Sequence, residues 1–314
     1  MTVFLSTLNQ MAFLVLLIVI GYVLVRCHAV PGSGAGLLSK LENAVFVPAL
    51  VMGTFIQNFT IQRMSTAGKY LLCGLAVILL TIPVAVILAR VCTKDPYIRN
   101  LYTYGLAFSN FGFMGNAVVA ALFPDIFMEY LIFVLPFWVL IYVWGVPFLL
   151  IPSEAGKKGL KDRLRPLVNP MFAGMVVGMV VGLLDLPVPA FLNSAITSLG
   201  SCMSPVAMLL TGMKIAQIDL RVTLKDRSVY GVSVLRLLAV PAAALACLTL
   251  VPMDYGLALC MVCALSMPLG LNTIVVPGAY RKDTSVAAGM ALVSHLLSCV
   301  TIPAVFLLFE WVVK

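Results

Sequence analysis

Two short stretches of the chain combine residues that can hold a ligand with residues that interrupt a helix. The first is Ser109, Asn110, Gly112, Gly115 and Asn116, inside LYTYGLAFSNFGFMGNAVVAALF. The second is Ser266, Pro268, Gly270, Asn272 and Thr273, inside YGLALCMVCALSMPLGLNTIVVPGAY. Glycine permits unwound backbone, and a mid-helix proline removes one hydrogen bond and clashes with the preceding turn. An unwound point exposes the N-terminus of the half-helix that follows, with partial positive charge and unpaired N–H groups. Two such ends, with amide donors from Asn110, Asn116 and Asn272, suit an anion, and a carboxylate is the preferred group. The predicted substrate-binding residues are therefore Ser109, Asn110, Gly112, Gly115, Asn116, Pro268, Gly270, Asn272 and Thr273.

Single ionisable residues add to this set. Arg236 lies about nine residues into its apolar run, about 13 Å at about 1.5 Å per residue. It either snorkels to the interface, neutralises the anion, or pairs with helix C-terminal carbonyls. His295 is the histidine placed well inside an apolar run, and an imidazole there is either a proton carrier or a packed neutral ring. Glu42, at a helix end, is expected to be solvated. No Asp or Glu occurs in 100–122 or 255–279, which argues against a sodium site built from carboxylates. Cys260 and Cys263 form a C-x-x-C without a second pair, and packing explains them better than redox or metal chemistry. Two histidines, no metal-spaced cluster and no paired carboxylates argue against an enzyme, so no metal or cofactor is expected.

The elements that must position these residues follow from composition. The chain is 62% hydrophobic and 10% charged, with a mean hydropathy of +1.10. Such a chain belongs in lipid, where spanning backbone must satisfy its own hydrogen bonds as helices. Apolar runs fall at 8–26, 37–58, 69–90, 100–122, 127–150, 169–185, 189–215, 228–251, 255–279 and 284–312. They predict ten transmembrane helices in an all-α integral membrane protein. The run at 8–25 has no basic residue ahead of it and reads as the first helix rather than a removable signal. The basic residues explain the net charge of +8 as topology rather than nucleic-acid affinity. With the N-terminus outside, Arg26, Lys40, Arg90, Lys94, Arg99, the 157–165 cluster, Lys214, Arg221, Lys225, Arg227, Arg281 and Lys282 all fall inside. Both termini are then outside, in a multi-pass protein of the cell (inner or plasma) membrane.

Prolines expose an internal repeat. Pro31 pairs with Pro187, Pro48 with Pro205, Pro83 with Pro241, Pro96 with Pro252 and Pro147 with Pro303, at separations of 156 to 158. Asn116 and Asn272 match at the same spacing. The division is 1–156 as a first five-helix repeat, 157–168 as a basic cytoplasmic loop, and 169–314 as a second repeat. An odd number of helices per repeat inverts the second, which is a transporter architecture. Gly174, Gly178 and Gly182, spaced four apart, read instead as a helix-packing stripe.

At these residues the chain resembles the auxin efflux carrier family, which includes plant auxin exporters and bacterial malate or malonate carriers. The resemblance rests on ENAVFVPALVMGTF at 42–55, SNFGFMGNAVVAALF at 109–123, NPMFAGMVVGMVVGLL at 169–184, SLGSCMSPVAMLLTGMKIA at 198–216 and MPLGLNTIVVPGAY at 267–280. It implies a sodium/bile-acid-symporter-like fold with broken, crossing helices 4 and 9, an elevator shift of a transport domain, and a homodimer. It also implies a substrate-binding role for Asn110 and a crossover role for Pro268. Asn116 and Ala117 replace the Ile-Pro usual in plant members, and the 151–168 loop is much shorter than theirs. The expected function is a secondary transporter of a small organic anion, such as malonate, malate or an auxin-like acid. A co-transported proton is a candidate driving ion, and the alternative is an anion channel of the same fold.

Overall fold

The computed structural model describes residues 2–152, 169–217, 227–251 and 253–313. The basic loop expected at 157–168, with Arg221 and Lys225, lies outside them. Apart from the turns and breaks between them, the described residues form helices: α1 Thr2–Arg26, α2 Gly34–Asn58, α3 Ile61–Cys92, α4 Pro96–Ala107, α5 Phe111–Leu122, α6 Pro124–Leu150, α7 Pro170–Leu183, α8 Ala190–Ala216, α9 Ser228–Leu250, α10 Tyr255–Ser266, α11 Asn272–Ala279 and α12 Ser285–Val313. Seven described helices are long and apolar enough to cross a membrane unaided. The other three predicted runs differ from expectation. Two are split, into α4 with α5 and α10 with α11, and α7 has only 14 helical residues. That gives α7 about 21 Å of helix against about 30 Å of hydrocarbon.

Local chemistry sets these boundaries. Asp95 caps α4 by accepting from the Tyr97 and Ile98 N–H groups, and Pro96 occupies the first turn, where no N–H is missed. Asp254 caps α10 through the Leu257 N–H, and Asn169 caps α7 through that of Phe172. Two turns of π-helix, Glu42–Phe46 and Leu235–Ala239, end two residues before Pro48 and Pro241. The wider turn relieves the ring clash that each proline would impose on a regular helix. Left-handed backbone occurs at His28 just past α1 and at Asp185 just past α7, with φ of 57° and 48°.

Packing separates two groups of helices. In one, α1 lies along α8 and α2 along α7. A side chain at Gly21 would strike the Leu209 carbonyl, and side chains at Gly174, Gly178 and Gly182 those of Pro48, Met52 and Phe55. Small residues let these backbones touch where lipid supplies no hydrophobic drive between helices. In the other group α3 packs on α6 and α9 on α12, with the broken helices between them. Its buried aromatics include Tyr102, Tyr104, Phe108, Phe111, Tyr130 and Phe137. Large apolar residues on the outer faces, such as Leu80 and Val91 of α3 and Leu250 of α9, are 69–81% exposed, an arrangement suited to lipid rather than water.

Glu42 corrects an expectation. It is fully buried, and neither carboxylate oxygen has a hydrogen-bond partner among the described residues. The reason is that α2 starts at Gly34, so Glu42 lies two turns inside the helix, where α7 and α8 cover it.

Candidate functional site

The two helix breaks meet. Ser109 and Leu269 pair as an isolated antiparallel bridge, the Asn110 N–H donates to the Pro268 carbonyl at 2.7 Å, and Ser109 Oγ donates to the Ala264 carbonyl at 2.6 Å. The unwound backbone of each break therefore satisfies part of the other's hydrogen bonding, as buried non-helical backbone must. The Leu269 N–H donates to Ser294 Oγ of α12. Gly270 comes close enough to the Phe108 and Ser109 carbonyls that an added Cβ would press on them.

Four half-helix ends converge here, and they are treated differently. The C-terminal carbonyls of α4 and α10 are bound by Arg236, which is fully buried and does not reach an interface. Its Nη1 donates to Leu106 at 2.8 Å, Nε to Met267 at 3.1 Å, and Nη2 to Leu265 at 3.0 Å and Ala264 at 3.5 Å. Of the three roles open to Arg236, the geometry is that of the carbonyl partner. A positive guanidinium thus sits on the negative ends of two helix dipoles. The N-terminal ends of α5 and α11 carry no such side-chain partner among the described residues and border a cleft instead.

In this state that cleft is narrow, with a cavity volume of about 20 Å³. Its walls bring together Ser109, Asn110, Gly112, Gly270 and Asn272 of the predicted set. The remaining four stand behind it. Thr273 Oγ donates to the Gly270 carbonyl, Pro268 offers its carbonyl to Asn110, and Gly115 packs against the Tyr130 hydroxyl. Asn116 is buried, and its Oδ1 has no hydrogen-bond partner among the described residues. Sequence reasoning missed Tyr104, Trp138 and Ile141 in the same walls. Tyr104 accepts a hydrogen bond from Asn272 Nδ2 at 3.0 Å; it lies on the turn before the break, a usable signal. Trp138 packs edge-on to Phe111 and against Gly112 from α6, and nothing in its own apolar run marks it.

His295 stands beside the cleft rather than in its wall. Its Nδ1–H donates to the Ala291 carbonyl at 2.7 Å, so Nε2 accepts from Asn110 Nδ2 at 3.0 Å. A second cavity of about 190 Å³ shares Gly112, Phe113 and Trp138 with the cleft and continues between Asn43, Tyr142 and Asn169. A third, of about 390 Å³ near Gln57, Asp125 and Thr197, shares no wall residue with it. A groove of about 260 Å³ between α3 and α9 is almost wholly apolar and offers an anion nothing.

The model of a family described as "Membrane transport protein" matches residues 6–306 of the chain. No curated protein matches it.

Proposed function

This chain belongs to the membrane transport protein family, that of the auxin efflux carriers, and from its transport role we propose that it carries a small organic anion by alternating access. One observation carries the reading. The N-termini of α5 and α11 and the amides of Asn110 and Asn272 border a single cleft, while Arg236 occupies the carbonyl ends opposite. The cleft is therefore bordered by positive dipole ends and two neutral amides, with no carboxylate among its described walls, which favours a carboxylate ligand.

The cavities favour a carrier over a channel. Among the described residues the cavity beside Asn43 and Asn169 shares walls with the cleft and the one near Gln57 and Asp125 does not, an asymmetry between two sides of the site that supports alternating access. By the distribution of basic residues the side of Asn43 and Asn169 is cytoplasmic, with both termini outside in the cell membrane.

Ten spans in two inverted repeats, 1–156 and 169–314, gain support from matched contacts. The pair Gly21 with Leu209 becomes Gly178 with Met52 when 157 is added to one partner and subtracted from the other. The left-handed turns at His28 and Asp185 are also 157 apart. The helix group of α1, α2, α7 and α8 fits a scaffold and the group around the breaks a moving domain, as an elevator requires. A homodimer through the scaffold completes the reading.

The test is counterflow and current in proteoliposomes with malonate, malate, lactate and indole-3-acetate. Saturable exchange abolished by Asn110→Ala is expected. Unsaturable current would favour the channel, and silence toward every carboxylate would end the anion reading.

A further inference from the structure

Building on the anion reading above, we propose that His295 and the anion at the crossover are linked through the Asn110 amide, so that the site takes up one proton with each anion.

The argument starts from which end of the amide faces which neighbour. In this state His295 Nε2 has no hydrogen and accepts from Asn110 Nδ2. The amide end not engaged by His295 is then the oxygen of Asn110, a residue of the cleft wall. A carbonyl oxygen repels a carboxylate. When a proton from the open side binds Nε2, the new N–H faces the Asn110 NH2 group, two donors head to head. Turning the amide over restores the bond, with Nε2–H now donating to Oδ1. The same turn frees the NH2 group for an anion. Protonation thus converts a residue that opposes the anion into one that binds it.

Charge reinforces this. The elements packed against α12 are α1, α9, α10 and α11, and Phe123 beyond α5 also touches Phe306. None of these helices carries an Asp or Glu. Their basic groups are Arg26, at the end of α1, and Arg236, committed to backbone carbonyls. Their remaining titratable groups are the phenols Tyr22, Tyr230 and Tyr255 and the thiols Cys247, Cys260 and Cys263. On α12 itself Cys299 donates to the His295 carbonyl, and Glu310 lies four turns away beside Tyr255. An imidazolium at 295 therefore has no counter-charge among the described residues packed around it, and a buried charge without one is costly. The anion supplies it. By reciprocity, whatever the proton adds to anion affinity the anion adds to proton affinity.

Calorimetric titration of malonate into purified protein in lipid nanodiscs, at about pH 7 and about pH 8 in two buffers of different ionisation heat, counts the protons taken up. The wild type is expected to bind about one proton per malonate and to lose about tenfold in affinity over that pH unit. His295→Gln, whose carbonyl can hold Asn110 as neutral histidine does, is expected to take up none and to show one Kd at both pH values. The wild-type proton count needs no variant and stands even if His295→Gln misfolds. Malonate binding without proton uptake overturns the linkage and leaves the anion site standing. If neither malonate nor any carboxylate active in counterflow binds, the anion reading and the linkage fall together.

Discussion

Arg236 Nη1 donates to the Leu106 carbonyl at 2.8 Å across 130 residues of chain, while Nε of the same guanidinium holds the Met267 carbonyl. One side chain from α9 thereby joins the C-terminal ends of α4 and α10, the two half-helices that enter the crossover. A helix end inside lipid leaves carbonyls that water cannot reach, and the planar fork of arginine serves several at once.

Arg236→Met should therefore cost about 3–5 kcal/mol, because it strips the partner from several buried carbonyls. Arg236→Lys should recover only part of this, since an ammonium cannot span both helix ends. Thermal melting in detergent checks both. Because Arg236 does not line the cleft, the protein that remains folded should keep its carboxylate affinity, and a selective loss of affinity without loss of stability would assign Arg236 to the anion instead.

Gly112 sits where the cleft meets the neighbouring cavity. A Cβ there would lie 2.6 Å from Cζ2 of Trp138. Gly112→Ala should cost about 1–3 kcal/mol by overpacking and should slow uptake beyond what lost protein explains. Uptake per folded molecule is the measurement; unchanged uptake would move the pathway away from Trp138.

Glu42 buries a carboxyl with no partner among the described residues. Glu42→Leu should raise stability by about 1–3 kcal/mol, because it removes the cost of burying an unpaired polar group. A lower melting temperature in the variant would mean that the carboxyl has a partner or an occupant that it needs.

Acid sensitivity should come from two caps outside the spans. At Asp254 burial raises the carboxyl, but the hydrogen bond from Lys69 and the Leu257 N–H bring it below its ordinary value overall. At Asp283 the Ser285 hydroxyl and N–H lower it, against a smaller rise from burial. For carboxyls depressed in the folded state, the stability is present above the unfolded value near about pH 3.9 and is lost as pH falls through the folded one. Asp254→Asn should flatten the acid limb of a melting-temperature profile and, since the group is largely exposed, cost no more than about 1 kcal/mol at neutral pH.

Much of the architecture was legible because it depends on short stretches of chain. Hydropathy marks what lies in lipid, and Asn, Gly and Pro at 109–116 and 266–273 mark where helices cannot continue, since propensity acts within a turn or two. Five of the nine predicted binding residues reach the cleft. Gly115 and Thr273 do not, because a run of residues around a break points in several directions and only the crossing angle of the two breaks selects among them.

What the sequence by itself determined is membership of the membrane, the places where two helices break, and a period near 157 in its prolines. Only the tertiary structure decided that Arg236 binds carbonyls, that Glu42 is enclosed by α7 and α8, and that His295 meets Asn110 across 185 residues. The physical reason is that helix formation and burial in lipid are read from neighbours along the chain. Which buried polar groups satisfy one another depends on how separate helices pack, and no single segment carries that information.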